Sequence, residues 1–213
     1  MPKRTFYNLS NEKRLHIEGC ALEEFAMYPF EKVSISRIVE RAGIAKGSFY
    51  QYFEGKIDLA AYLLEVIAEA EIAYIEKNMS EVMYTSDDFI EWLRQQMDVS
   101  IQFALSNIDI INAYRRLMIA DVPALNEKLM EVTGRVGVGF YTKKIKGAMD
   151  AGYLRNDLSA EFLGHYVVMV MFSLLDDYLR EEVPEGGTIS DGLSQRIAQS
   201  IDVLENGIKH RGG

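Results

Sequence analysis

The amino-acid sequence predicts an all-α fold of about nine helices, and three observations support this prediction. Apolar residues recur three or four positions apart through most of the chain, which is the spacing of one helix face. Hydroxyl, amide or carboxylate residues precede most of these segments, and glycine or proline follows several of them, as at helix ends. The most strand-like apolar run, residues 166–175, has long polar flanks at helical spacing, which favours a helix there too.

Capping and stop residues set the bounds of the first four predicted helices. Ser10 is a suitable N-cap for the first helix, Pro29 stops it, and Gly43 suits the left-handed C-terminal position of the second. The apolar stripe of the first helix consists of Ile17, Cys20, Ala21 and Phe25. The predicted bounds are Ser10–Met27, Ile35–Ala42, Lys46–Phe53 and Lys56–Asn78.

Five further helices complete the prediction. Their expected caps or first-turn residues are Thr85 or Ser86, Asn107, Pro123, Asp157 or Ser159, and Ser190. The sixth helix is short and ends near Asp121, the seventh reaches Gly152, and the ninth ends near Lys209.

Length and composition indicate a globular protein with its own hydrophobic core. The chain has 213 residues, of which 48% are hydrophobic and 26% are charged. Its single cysteine, Cys20, excludes an internal disulfide and suits a reducing compartment. Residues 1–10 lack the apolar run of a signal peptide, and the run 166–175 is too short for a membrane span. We therefore expect a cytoplasmic protein.

The net charge of -9 is unevenly distributed along the chain. Residues 1–60 carry nine lysines and arginines against eight acidic residues, a balance of +1, whereas the remaining 153 residues carry 14 against 24. The acidity therefore belongs to the larger C-terminal part. The N-terminal part can approach phosphates, while acidic surface elsewhere weakens non-specific adhesion to nucleic acid.

Catalytic chemistry finds little support in the sequence. The three histidines, His16, His165 and His210, are scattered, and no histidine, cysteine and carboxylate cluster has the spacing of a metal site. The chain has no nucleophile elbow, phosphate-binding loop or dinucleotide fingerprint. We expect a protein that is not an enzyme, with no metal and no cofactor.

The third predicted helix carries an unusual outward face. On a helical wheel of ~100° per residue, Phe49 and Phe53 lie together and form the core side. The opposite face and its flanks consist of Gly47, Ser48, Tyr50 and Gln51. Such groups bond base edges and phosphates, and glycine permits close approach of the backbone. Two short helices joined by a tight turn at Gly43 form a helix-turn-helix, whose second helix can enter a major groove.

Lys56 gives a second indication of anion binding. It opens the fourth helix, where the helix dipole disfavours a cation by up to ~1 kcal/mol. A phosphate at this place would pair with the ammonium group and with free backbone N–H groups. The alternative interpretation is a solvated lysine whose charge is offset by Asp58.

Residues 34–56, SISRIVERAGIAKGSFYQYFEGK, resemble the helix-turn-helix of the TetR family of transcriptional regulators (TetR/AcrR type). The turn, the aromatic residues and the distal lysine match together. The resemblance covers roughly residues 10–60, and beyond them only the length, the helical pattern and the connection GYLRNDLSAEF at 152–162 agree. It implies DNA contacts at Ser34, Ser36, Arg37, Lys46, Gly47, Ser48, Tyr50, Gln51, Tyr52 and Lys56.

Three residues qualify this resemblance. Ala45 stands where the family usually has a serine or threonine cap, and Pro29 stands where a glycine usually ends the first helix. Neither replaces a contact residue, so both affect local stability more than function. Tyr52 falls near the core side of the wheel, so core packing is as good an interpretation as a DNA contact.

The resemblance also implies two domains with different functions. Residues 1–55 would form the helix-turn-helix DNA-binding domain, and residues 56–213 a helical domain that dimerises and binds a small molecule. The expected function is a repressor that a small-molecule effector releases from a pseudo-palindromic double-stranded DNA operator. The alternative is a helical small-molecule-binding or protein-interaction module that no longer binds DNA, against which Tyr50 and Lys56 argue.

The residues of the C-terminal part are compatible with a homodimer through predicted helices 8 and 9. Residues 167–175 are apolar almost all round the eighth helix, which a monomer cannot bury from one side. The ninth helix has a second apolar stripe, formed by Leu193, Ile197, Ile201, Leu204 and Ile208. Two such helices from each subunit would form a four-helix interface, and a thick monomeric core is the alternative.

Polar residues on apolar stripes are the candidates for a ligand pocket. Gln96 shares a stripe with Trp92 and Phe103, and His165 shares a face with Met169. Such groups can orient a ligand in an apolar cavity, but they can equally be satisfied core residues. The candidate ligand-binding residues are Trp92, Gln96, Phe103, Tyr114, His165 and Met169.

Overall fold

The computed structural model describes residues 2–79, 86–180 and 191–208, and its elements are helices, which confirms the all-α prediction. The α-helices are α1 (Arg4–Tyr7), α2 (Asn11–Met27), α3 (Ile35–Arg41), α4 (Lys46–Tyr52), α5 (Lys56–Asn78), α6 (Ser86–Ser106), α7 (Ile108–Met118), α8 (Pro123–Thr133), α9 (Gly139–Asp150), α10 (Ala160–Arg180) and α11 (Asp191–Ile208). A 3-10 turn at Phe30–Lys32 and a π-helical turn at Gly134–Val138 are also present. Thr85, Ser190 and Lys209, which were expected near helix ends, lie outside the described residues.

Two predicted helix ends are confirmed in atomic detail. The hydroxyl of Ser10 accepts a hydrogen bond from the N–H of Lys13 at 3.3 Å, so Ser10 is the N-cap of α2. Gly43 has a φ of 63°, in the left-handed region. The N–H groups of Gly43 and of the next residue donate back to carbonyls of α3 at 3.2 and 3.0 Å. This is a Schellman motif, which ends α3 and fixes the direction of the following chain.

Two features of the fold differ from the prediction. Helix α1 was not predicted, because four residues are too few to show a period. The long helix expected over 123–152 is divided into α8 and α9 by the π-helical turn, which contains Gly134 and Gly137. A β-carbon on Gly137 would lie 3.7 Å from the side chain of Val168 on α10, which is an ordinary van der Waals contact, so packing does not require a glycine there.

The chain divides into two compact units that differ from the predicted domains. The first unit consists of Met1–Glu69 and Ser106–Thr133, and the second consists of Ala70–Leu105 and Gly134–Gly213. Helix α5 contributes to both units. The assignment of DNA binding to residues 1–55 and of the other functions to residues 56–213 therefore stays a prediction.

The core of the first unit is rich in aromatic rings. Phe6 and Phe53 are each 0% exposed, and their ring centroids lie 4.9 Å apart. Tyr62 of α5 contacts both rings, at 5.4 and 5.8 Å. Helix α2 packs against α3 and α7, and α1 packs against α4. Helix α1, the end of α4 and helix α5 thus share one aromatic core.

The C-terminal part of the apolar stripe of α11 is buried inside the second unit. Ile201, Leu204 and Ile208 are at most 2% exposed, and α11 packs against α10 of the same chain. These three residues are therefore covered within their own chain, whereas Ile197 is partly exposed. A dimer through predicted helices 8 and 9 stays a prediction. The side chain of Leu193 lies outside the described part of the structure. None of the helices within residues 2–79, 86–180 and 191–208 combines the length and the apolar character that a membrane span requires.

Candidate nucleic-acid interface

Helices α3 and α4 form a helix-turn-helix. Each has seven residues, and residues 42–45 connect them through the left-handed Gly43. The core side of α4 is as predicted, since Phe49 is 1% exposed and Phe53 is 0% exposed. The second helix of the motif is thereby oriented with its opposite face outward.

The outward surface of this motif is polar, and its side chains make few contacts within the chain. Tyr50 is 45% exposed, and its ring meets Phe49 edge-on at 5.2 Å, which holds the phenol away from the core. Lys46 donates from Nζ to the hydroxyl of Ser36 at 3.2 Å, which joins the starts of α3 and α4. We call this surface the reading face; its exposed or partly exposed residues are Ser36, Lys46, Gly47, Ser48, Tyr50 and Gln51.

The chemistry of the reading face suits DNA. Its hydroxyl, phenol and amide groups can donate to and accept from base edges, and the ammonium of Lys46 can pair with a phosphate. A β-carbon on Gly47 would meet no atom within 4 Å, so the chain itself does not require a glycine there. A backbone that must approach another molecule closely gives a reason for it.

A buried carboxylate holds α3 against α2. Glu24 is 0% exposed and accepts a hydrogen bond from the backbone N–H of Ser34 at 2.9 Å. Arg37 donates to it from Nε at 2.9 Å and from Nη2 at 2.5 Å, and Arg41 donates from Nη2 at 2.6 Å. A buried charge is tolerated when it is paired and fully hydrogen-bonded, as here.

This arrangement gives Ser34 and Arg37 structural roles. The hydroxyl of Ser34 accepts from the N–H of Arg37 at 3.4 Å and so caps α3. The guanidinium of Arg37 lies 4.2 Å from the ring centre of Tyr28, and its hydrogen bond to Glu24 raises the pKa of Arg37. Both residues are engaged within the chain, which the resemblance alone did not reveal.

Tyr52 lies on the core side of α4. It is 7% exposed, and its ring lies 5.8 Å from that of Phe6. Of the two interpretations of Tyr52, the structure therefore supports core packing.

Lys56 is also used inside the chain. Its Nζ donates to the carbonyls of Phe30, Glu31 and Val33 at 2.6, 3.3 and 3.4 Å, and it lies 4.5 Å from the Phe30 ring centre. An ammonium group has three N–H donors, so these carbonyls account for all of them. Burial lowers the pKa of Lys56, and the charge of Glu31 opposes this shift. Lys56 thus braces the 3-10 turn in this structure, and its phosphate contact stays a prediction.

Sequence reasoning missed Glu24 and the first residues of the chain. Glu24 lies seven positions after Ile17, on the buried stripe of the first helix, and a carboxylate at such a position was a detectable signal. No comparable signal marks Lys3 and Thr5, whose hydrogen bonds to α4 depend on how the chain folds back.

The second unit contains a buried polar cluster around Gln96. Gln96 is 3% exposed; its amide donates to the hydroxyl of Ser100 at 2.7 Å and accepts from the hydroxyl of Tyr141 at 2.6 Å. Burial raises the pKa of Glu71, and a hydrogen bond from Ser100 opposes this shift. Burial also raises the pKa of Tyr141, and the charge of Glu71 raises it further. Carboxyl, amide, hydroxyl and phenol groups therefore interact in the interior of this unit.

The other candidate ligand-binding residues do not lie together in one site. Trp92 and Phe103 are each 5% exposed in the second unit, and the Trp92 ring lies 6.2 Å from that of Tyr141. Tyr114 is buried in the first unit. His165 and Met169 are exposed on α10, so the predicted interior face for these two residues is wrong. In the described ranges, no group of histidine, cysteine and acidic residues could hold a metal ion.

Comparison with known proteins agrees with this geometry. The model of the family described as "Bacterial regulatory proteins, tetR family" matches residues 20–63. The HTH-type transcriptional repressor Rv1474c of Mycobacterium tuberculosis is 22% identical over 214 residues, which cover 98% of this chain and 99% of that protein.

Solved structures extend the similarity over the whole chain. A TetR family transcriptional regulator from Chloroflexus aurantiacus is 31% identical, with a TM-score of 0.59 and coverage of 99% of this chain and 100% of that one. FadR of Bacillus subtilis, solved with stearoyl-CoA, is 16% identical, with a TM-score of 0.64 and coverage of 91% and 98%.

The helix-turn-helix, the match over residues 20–63 and the relative at 31% identity agree with one another. The relatives named by function are transcriptional regulators, so the interpretation as a regulator rather than an enzyme is confirmed. The chain belongs to the TetR family of transcriptional regulators.

Proposed function

We propose that this protein is a homodimeric repressor that reads a pseudo-palindromic operator with α4 and is released from it by a small molecule. The observation that carries the proposal is the reading face, a polar surface with a side-chain-free position on the second helix of a helix-turn-helix. Groups of this kind discriminate base pairs in the major groove. Because the operator lies on cytoplasmic DNA, we place the protein in the cytoplasm.

Gln51 provides the test of base reading. It is exposed at the centre of the reading face, and a glutamine amide can pair with both hydrogen-bonding atoms of an adenine edge. We expect Gln51→Ala to weaken operator binding by ~1–3 kcal/mol and to relax preference at one base pair. The salt dependence of binding should not change, because no charge is lost.

The measurement is affinity against salt on DNA from upstream of the protein's own gene and on a scrambled sequence. Gln102→Ala is the matched control, because Gln102 is exposed on α6, outside the reading face. Equal loss on both sequences would refute base reading by Gln51. No binding of the unaltered protein to any DNA would favour the module without DNA binding.

An exposed apolar stripe on α10 supports a homodimer. Phe162, Tyr166 and Met169 are 58%, 41% and 60% exposed, and with His165 they follow the spacing of one helix face. We call these four residues the α10 stripe. On neighbouring α11, Val203 is 59% exposed. A two-fold interface would bury the α10 stripe of each subunit and would match a pseudo-palindromic operator.

The polar cluster around Gln96 is the site that we propose for the effector. It combines buried hydrogen-bonding groups with aromatic neighbours of Trp92, whose ring lies 6.0 Å from that of Phe140. Such a combination orients a ligand that has an apolar body and a polar group. Trp92 is the single tryptophan of the chain, so its fluorescence gives a direct readout for an effector screen.

We infer that α5 connects effector binding to the reading face. It begins at Lys56, shortly after α4 ends at Tyr52, and it is continuous to Asn78. An effector that favours one orientation of α5 would change the population that fits the operator. The coupling must be reciprocal, so operator DNA should weaken effector binding by the same factor.

A further inference from the structure

We propose that Lys3 and Thr5 position the recognition helix α4 by capping its C-terminal end. The inference rests on the proposed reading of DNA by α4, and it concerns residues outside both the helix-turn-helix and the matched residues 20–63. We call residues 2–7 the N-terminal arm.

Helix α4 cannot hold its geometry by itself. It has seven residues, whereas isolated helices shorter than about 12–15 residues are marginal in water. Its N-cap is Ala45, which makes no side-chain hydrogen bond. The last carbonyls of any helix lack partners within that helix, so α4 needs donors from elsewhere.

The N-terminal arm provides three donors to three successive carbonyls at this end. The backbone N–H of Lys3 donates to the carbonyl of Tyr52 at 2.7 Å, and its Nζ donates to the carbonyl of Tyr50 at 3.0 Å. The hydroxyl of Thr5 donates to the carbonyl of Gln51. Because Tyr50 and Gln51 also belong to the reading face, the arm bonds directly to the backbone of residues that we expect to contact bases.

The arm is itself fixed in the core. Phe6 is 0% exposed, and its ring lies 5.8 Å from that of Tyr52 and 4.9 Å from that of Phe53. Pro2 is buried as well. The capping donors are therefore held between two buried residues and do not depend on a free chain end.

The capping side chains are themselves exposed, which makes the inference testable. Lys3 and Thr5 lie on the surface, so changing them leaves no cavity in the core. Loss of a cap would leave α4 folded on Phe49 and Phe53 but would loosen its last turn. The predicted effect is on the order and aim of Tyr50 and Gln51, with little effect on global stability.

The experiment compares Thr5→Val with Thr5→Ser and Lys3→Met with Lys13→Met. Valine removes the hydroxyl at similar size, whereas serine retains it. Lys13 is an exposed lysine on α2, outside both the N-terminal arm and α4. Operator and scrambled-DNA affinities are measured against salt, together with amide hydrogen exchange of residues 50–53 and thermal melting.

We expect Thr5→Val and Lys3→Met each to weaken operator binding by about two- to tenfold, the equivalent of one lost hydrogen bond. Exchange at residues 50–53 should accelerate, with an unchanged salt slope and a nearly unchanged melting temperature. Thr5→Ser and Lys13→Met should behave as the unaltered protein.

Three results would overturn the inference. The first is unchanged exchange at residues 50–53, and the second is unchanged operator affinity in Thr5→Val. The third is a salt slope that falls by about one unit in Lys3→Met, which would make Lys3 a phosphate contact instead. Hydrogen exchange needs no DNA, so a failure of the proposed function and a failure of the capping role give different results.

Discussion

At the scale of the residue, Gly47 is a position where folding stability and DNA binding favour different residues. It is exposed within α4, and an added methyl group would meet no atom of the chain within 4 Å. We expect Gly47→Ala to raise the free energy of unfolding by about 1 kcal/mol, because alanine favours the helix. The same methyl group should lower operator affinity, because it holds the backbone away from the groove.

Urea unfolding and operator titration of the same samples measure both effects. Gly19→Ala is the control, since Gly19 also lies in a helix with open space around its α-carbon, on α2. It should gain stability and retain operator affinity. If Gly47→Ala binds the operator as tightly as the unaltered protein, the proposed close approach at this position is wrong.

Lys56 and Arg37 show why charge alone is a poor guide to DNA contacts. The resemblance implies DNA contacts for both, but in this structure Lys56 donates to three carbonyls of its own chain and Arg37 donates to Glu24. A sequence shows that a cation is present but not which acceptors the fold places beside it. Lys46, by contrast, retains donors beyond its bond to Ser36.

At the scale of the element, Glu24 controls the placement of α3. We expect Glu24→Gln to reduce the free energy of unfolding by about 1–3 kcal/mol, because a neutral amide cannot satisfy both guanidinium groups and the N–H of Ser34. Urea unfolding followed by circular dichroism provides the measurement.

The adjacent carboxylate is a matched control for this change. The side chain of Glu23 is 59% exposed, and its contact with Arg41 is 3.5 Å long. Glu23→Gln should change stability by less than about 0.5 kcal/mol, as is usual for surface ion pairs. Similar losses for the two variants would show that burial of Glu24 is not what fixes α3.

At the scale of the whole molecule, the α10 stripe makes the dimer testable without disturbing the core. We expect Met169→Asp to convert the dimer to a monomer, because a charge would be buried inside the proposed interface. Met169 is 60% exposed within the chain, so the monomer itself should fold. Sedimentation velocity at micromolar concentration distinguishes the two states.

Met130→Asp tests whether any exposed methionine has the same effect. Met130 is 76% exposed on α8, outside the α10 stripe, so this variant should remain a dimer. A Met169→Asp protein that sediments as a dimer would show that the interface lies elsewhere. Loss of the dimer should also weaken operator binding, because two linked reading faces bind more tightly than one.

The sequence by itself determined the local structure of the helix-turn-helix. The cap at Ser10, the left-handed Gly43 and the burial of Phe49 and Phe53 follow from interactions within a few residues, so periodicity and capping rules could predict them. The family and its regulatory function followed from the same local pattern, since the reading face is one side of a short helix.

Only the tertiary structure decided which polar groups are hydrogen-bonded within the chain and which can bind another molecule. The roles of Lys56, Glu24 and Thr5 depend on partners 26, 13 and 46 positions away in the chain, and no local pattern encodes such a distance. The exposure of Met169 and the burial of Ile201 likewise depend on which face of α10 meets α11. A helix pattern shows that a stripe must be covered; whether its own chain or a second subunit covers it is settled by packing.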